Sequence, residues 1–224
     1  MVFVDKMLEA ARCNRLEEII NLRRVEHTWN SELTNLLASK GFFQTLKWVL
    51  QNGCPIDEFT LGYSSRHGHL MCLKLLFDYY KENEVEYNYY FALLNAAEYG
   101  HARCLEHLIN VMDDTFKRNE CKISHYAVQN KQFDCVKILI QNKFYYSLEI
   151  ILFWLSKYYK DIDLEDVWWR EFLFMHILVL KEKFTYLYNL VMIEKENLKM
   201  KLNTIKEVTD LSVDVCDYIV AQYL

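Results

Sequence analysis

A phrase of seven residues recurs along the chain and limits its fold more than any other feature. It reads Gly41-Phe42-Phe43-Gln44-Thr45-Leu46-Lys47, then Gly68-His69-Leu70-Met71-Cys72-Leu73-Lys74, then Gly100-His101-Ala102-Arg103-Cys104-Leu105-Glu106. A fourth copy, Lys131-Gln132-Phe133-Asp134-Cys135-Val136-Lys137, has lost its glycine, and Asn14-Arg15-Leu16-Glu17-Glu18-Ile19-Ile20 precedes them all. From 14 to 41, 41 to 68, 68 to 100 and 100 to 131 the steps are 27, 27, 32 and 31 residues. Repeats of this length mark a solenoid, because one unit is too small to bury its apolar face alone and must stack on its neighbours. Such folds present surfaces more often than pockets, which turns the reading of function towards binding.

Composition selects the kind of solenoid. The 224 residues include only 5 Gly and 1 Pro, too few for a turn-rich all-β chain. With 52% hydrophobic residues the chain has enough apolar surface for a sizeable core. The expectation is an all-α array of antiparallel helix pairs joined by short loops. The net charge is −5 and its signs are interspersed, so no basic stripe points to nucleic acid. Asp5, Lys6 and Glu9 within Met1–Arg12 are unlike a secretory leader, and no apolar run reaches the length of a membrane span. A cytoplasmic chain with no membrane partner is expected.

The third unit shows the pattern best. Leu93, Ala96 and Ala97 give a short helix with a small-residue face, Gly100 ends it in a turn suited to positive φ, and His101 opens a second helix carried by Cys104, Leu105, Leu108 and Ile109. This resembles the ankyrin repeat, T-P-L-H-x-A-A-x-x-G-H ending in V-x-x-L-L. The likeness is partial at Leu61, Ser64, Ser65, Gly68 and His69, and only His125 and Ala127 keep it in the fourth unit. The threonine and proline of the pattern are missing, so irregular helix starts are expected. The resemblance covers about 10 to 143. It implies units at about 6–30, 31–57, 58–88, 89–119 and 120–144 within a first part, 1–144. The link Trp48-Val49-Leu50-Gln51-Asn52-Gly53-Cys54-Pro55-Ile56-Asp57-Glu58-Phe59-Thr60, the 27-residue steps and the Gly-His-Leu-x-Cys-Leu-Lys phrase resemble ankyrin proteins of large DNA viruses of amoebae. That likeness implies a viral protein engaging a host factor, and related repeats also occur in some protists.

Beyond 144 the repeat decays. Leu148–Tyr159 and Leu164–Leu180 read as helices, with Asp161–Asp166 as a cap and acidic first turn for the second. Lys183–Val191 and Ser212–Val220 carry the spacing of second helices, and Leu202, Ile205 and Val208 that of a first. No Gly-, Ser- or Pro-rich linker intervenes. Residues 145–224 are therefore read as degenerate units or a helical cap continuous with the first part. A separate helical module is the alternative. The L-P pattern of the F-box that ends many poxvirus ankyrin proteins is not found.

No catalytic or cofactor motif emerges. Glycines at 41, 53, 62, 68 and 100 form neither GxxxxGK[ST] nor GxGxxG, and HExxH and GxSxG are absent. The chain is read as a non-enzyme without metal or cofactor. Cys72, Cys104 and Cys135 share one register, as small apolar side chains packing inside an outer helix do. Reduced, buried thiols are expected. His67, His69 and Cys72 tempt a metal reading, but His69 and His101 stand where such repeats place a structural histidine.

In ankyrin-like units the concave face is made by loop tips and the outward positions of each first helix. Counting back from the glycine, these are Tyr63, Arg66 and His67, then Asn95, Glu98 and Tyr99, then Tyr126, Gln129 and Asn130. Tyr and Arg are the residues enriched at binding hot spots. Tyr89 and Tyr90, in the cluster Tyr87-Asn88-Tyr89-Tyr90-Phe91, are either core filling or a further anchor. Trp168 and Trp169 divide as one core residue and one exposed. The function expected is capture of a protein partner by a chain that is a monomer when free. The alternatives are an assembly component of a larger particle and a substrate-recruiting adaptor of a ubiquitin ligase.

Overall fold

A computed structural model describes residues 2–25, 28–111, 121–158, 166–176, 188–189, 191–198 and 200. Among these the regular structure is helical. The helices are α1 (Val2–Arg12), α2 (Leu16–Arg24), α3 (Ser31–Lys40), α4 (Phe43–Gln51), α5 (Thr60–Arg66), α6 (Leu70–Glu82), α7 (Tyr89–Glu98), α8 (Ala102–Val111), α9 (Cys121–Gln129), α10 (Phe133–Gln141), α11 (Leu148–Lys157) and α12 (Val167–Met175). They fall into two compact units, 1–145 and 146–224.

In the first unit each odd-numbered helix pairs with the even-numbered helix after it, and the pairs stack. The odd helices form one layer, α1 on α3 on α5 on α7 on α9, and α4, α6, α8 and α10 form the other. Small side chains let the inner layer close up. Ser64, Ser65, Ala96, Ala97 and Ala127 are buried there. A Cβ at Gly62 would lie 2.2 Å from the Phe91 ring, so α5 and α7 approach across a residue without a side chain. Leu61, Leu73, Leu76, Leu93, Leu105 and Leu108 fill the space between the layers.

Each inner helix ends in the same way, and the recurring phrase encodes that ending. The N–H after the turn donates five residues back: Arg15 to Ala10, Phe42 to Leu37, His69 to Ser64, His101 to Ala96 and Gln132 to Ala127. This wrap satisfies a helix-end carbonyl and needs a left-handed residue at its centre. Gly41, Gly68 and Gly100 supply φ of 73°, 73° and 79°, whereas Asn14 and Lys131 adopt 54° and 61° without being glycine. The fourth unit thus keeps the turn after losing the residue that makes it easiest.

The helix starts are irregular, as the missing threonine and proline lead one to expect. Asn30 Oδ1 accepts from Glu32 N–H at 2.9 Å, and Asn88 Oδ1 accepts from Phe91 N–H at 2.9 Å. Before α5 a small network does the work. Asn35 Nδ2 donates to Asp57 Oδ2 at 2.6 Å, Thr60 Oγ1 donates to Asn35 Oδ1 at 2.6 Å, and Asp57 Oδ1 accepts from Phe59 N–H at 3.0 Å. The Tyr80 hydroxyl donates to the Asp57 carbonyl, and burial raises its pKa to about 12.

Cys54, Cys72, Cys104 and Cys135 are free and buried, with burial lifting the thiols to about 12, 11, 11 and 12. Thiols held that high stay protonated and act as packing groups.

In the second unit, α11 buries Ile151, Leu152 and Leu155, and α12 buries Trp169, Phe172 and Leu173. Asp166 caps α12, its Oδ1 accepting from Trp168 N–H at 2.8 Å. Trp169 is core and Trp168 is half-buried, stacked on Phe172. Residues 188–189 and 191–198 are helical. The rest of the helix read over 183–191, and those read over 202–220, lie outside the described residues. Among the described residues no helix is long and apolar enough to cross a membrane.

Candidate partner-binding face

The last turns of the inner helices line up because every unit ends in the same wrap, and the side chains opening α6, α8 and α10 reach back to the unit before. The His69 ring lies over Gly41 and bonds the Ser39 carbonyl at 3.0 Å through Nε2. The His101 ring lies over Gly68 and bonds the Arg66 carbonyl at 2.9 Å through Nε2. Because a carbonyl only accepts, Nε2 carries the proton in both. Gln132 occupies the same place over Gly100. These contacts fix the register between units and hold the C-terminal ends of α3, α5 and α7 side by side.

On those ends sits a cationic and aromatic patch. The Arg66 guanidinium lies 4.7 Å from the centroid of the Tyr99 ring, a cation–π contact that bridges two successive units. At an exposed site this adds about 0.5–1 kcal/mol. His67 stacks at 6.3 Å on His69. Its pKa is lowered, first by partial burial and then by His69, Arg66, His101 and Lys40, so every charged group acting on it is basic. Tyr99 and Tyr126 are each 40% exposed, and Gln129 and Asn130 are exposed beside Tyr126. Glu98 is half-buried between these regions.

The structure sorts the residues singled out from sequence. Arg66, His67, Tyr99, Tyr126 and Gln129 are exposed, and Glu98 and Tyr63 are half-buried. The Tyr63 ring packs edge-on at 6.5 Å against Phe91, so only part of it is available. Asn95 is a correction. It is 4% exposed, and its amide donates to the Phe91 carbonyl at 2.8 Å. Asn95 lies on the side of α7 that is packed away from solvent, so its amide is not available to a partner. Tyr89 also fits core filling better than anchoring. Its hydroxyl donates to the Leu108 carbonyl, its ring lies 6.0 Å from Tyr87, and burial raises its pKa. Tyr90 is half-buried.

Sequence reasoning missed Lys40. It is exposed, ends α3 one residue before Gly41, and acts on His67. The signal was present, since Lys40 holds in its unit the place that His67 and Tyr99 hold in theirs. Among the described residues no three His, Cys, Asp or Glu side chains gather as a metal set.

A family model described as ankyrin repeats (3 copies) matches residues 61–150. Residues 61–150 are ankyrin repeats. Ankyrin repeats are protein–protein interaction modules and typically non-enzymatic scaffolds. Among solved structures, the ankyrin repeat domain of human ASB11 is similar at 19% identity with a TM-score of 0.48, covering 61% of this chain and 68% of that one. No curated protein matches the chain. Within the matched residues, Arg66 ends α5, Tyr99 directly follows α7 and Tyr126 lies on α9, while Cys72, Cys104 and Cys135 are buried on α6, α8 and α10.

Proposed function

We propose that the chain captures a partner protein on the concave face of its ankyrin array. The observation that carries this reading is the Arg66–Tyr99 pair, which places a guanidinium and an aromatic ring at an exposed junction between units, with Tyr126 in the next. Arg and Tyr dominate binding hot spots because they bring large contact area with directed polar groups. The linker phrase at Trp48–Thr60 resembles ankyrin proteins of large DNA viruses of amoebae, and on that resemblance the partner is a host protein. The chain acts without catalysis, is a monomer when free and does not bind nucleic acid. The protonated thiols at Cys54, Cys72, Cys104 and Cys135 fit a reducing compartment such as the cytoplasm.

The test is affinity purification from the native cell. One protein recovered in near-stoichiometric amount is expected, and the double change Arg66→Glu/Tyr99→Ala removes it. The expected loss is about 30-fold or more in affinity, as for one full hot spot. Undiminished capture by the double variant overturns the assignment of the face.

A second reading, an assembly component, is favoured by apolar exposure in the second unit. Phe153, Met175, Ile193 and Met200 are 52%, 73%, 61% and 60% exposed. Under that reading the purified chain self-associates in light scattering, whereas a concentration-independent monomer rejects it.

A further inference from the structure

We propose that the partner's contact segment is acidic, with its carboxylates seated over Lys40, Arg66 and His67 and an aromatic residue beside Tyr99. This rests on the concave-face reading and narrows it to one chemical class. Three observations carry it. Lys40, Arg66 and His67 are exposed at the ends of α3 and α5. The Arg66 guanidinium carbon lies over the Tyr99 ring and the side chain is exposed, so a carboxylate can approach the guanidinium, which as a planar fork binds carboxylates in pairs. Besides partial burial, the side chains that lower the His67 pKa are basic, Arg66 and Lys40 among them, so the potential at His67 is positive and an anionic segment would meet it favourably. The chain as a whole is net −5, so this patch stands against the sign of the molecule and would orient an acidic partner on approach. Glu98, half-buried at the next unit, sets the limit. Past it Tyr99 and Tyr126 are exposed, with Lys131 at the following turn, and the segment's carboxylates are placed on the α3–α5 side, where Lys40 and Arg66 lie on successive units.

The experiment uses the full chain and a fluorescein-labelled peptide of alternating Glu and Tyr, compared by anisotropy with its Gln-for-Glu counterpart. The Glu peptide binds at least about tenfold more tightly than the Gln peptide, in keeping with charge-assisted hydrogen bonds, and the difference shrinks as salt is raised. Arg66→Glu weakens the Glu peptide by about tenfold or more. Lys47→Glu, the same charge change at an exposed position on α4, leaves it within about twofold. No binding of the Glu peptide, equal binding of both peptides, or equal loss in the two variants overturns the proposal. Failure here is separable from failure of the concave-face reading. If the native partner is still captured and Tyr99→Ala/Tyr126→Ala releases it while Arg66→Glu does not, the face stands and its acidic preference falls.

Discussion

Replacing Gly68 with valine is expected to destabilise the first unit by about 2–4 kcal/mol, in two separable parts. The first is backbone strain. Gly68 has φ +73°, and a β-branched residue there is strained by about 1–3 kcal/mol. The second is the ring above it. A Cβ at Gly68 would lie 2.5 Å from His101 Nδ1, and that ring is held by its bond to the Arg66 carbonyl. Moving the ring breaks the bond, a loss of about 1 kcal/mol. Two other glycines act as controls. Gly53 has φ +77° with nothing within 4 Å of its Cβ position, so Gly53→Val reports strain alone. At Gly100 the obstacle is the Gln132 amide at 2.0 Å, the end of a flexible side chain that can swing away. Urea unfolding should therefore rank Gly68→Val as the most damaging, with Gly53→Val and Gly100→Val close together. Equal losses at all three positions would show that the His101 contact contributes nothing.

Leu93→Ala is expected to remove about 2–5 kcal/mol, a large share of the roughly 5–15 kcal/mol that holds an ordinary domain. Leu93 is fully buried on α7, which packs between α5 and α9. The inner layer already relies on Gly62, Ala96 and Ala97 for its close approach, so little can move into the cavity. In an array the stability is a sum of unit and nearest-neighbour terms, so loss at α7 weakens the helices on either side of it first. Hydrogen exchange should show α5 to α10 opening more readily than α1 and α3. A uniform rise in exchange across 2–145 would mean that the unit melts as one cooperative block.

The fold was legible because its most demanding feature is local. A helix that must reverse within two residues calls for a left-handed turn, and Gly41, Gly68 and Gly100 announce it. Asn14 and Lys131 adopt the same turn, but only the rest of the phrase around them gave the register away. The exposed positions were half legible. Counting back from the glycine placed Arg66, His67, Tyr99 and Tyr126 at exposed positions because one register repeats from unit to unit. The same count misplaced Asn95, which is buried on α7 between its neighbours α5 and α9. The reach of His69 to Ser39 and of His101 to Arg66 spans 30 and 35 residues, and no local pattern could show it. After 144 the phrase fades, and with it the register that made the first part readable.

The measurement that tests the central claim most directly is hydrogen exchange of the chain with and without its captured partner. Protection should gather on the inner helices and their turns, at 39–41, 63–69, 98–101 and 126–132. The outer faces of α4, α6 and α8, where Lys47, Met71, Lys74 and Arg103 are exposed, should exchange as in the free chain. Protection confined to those outer helices, or to the second unit alone, would contradict the account.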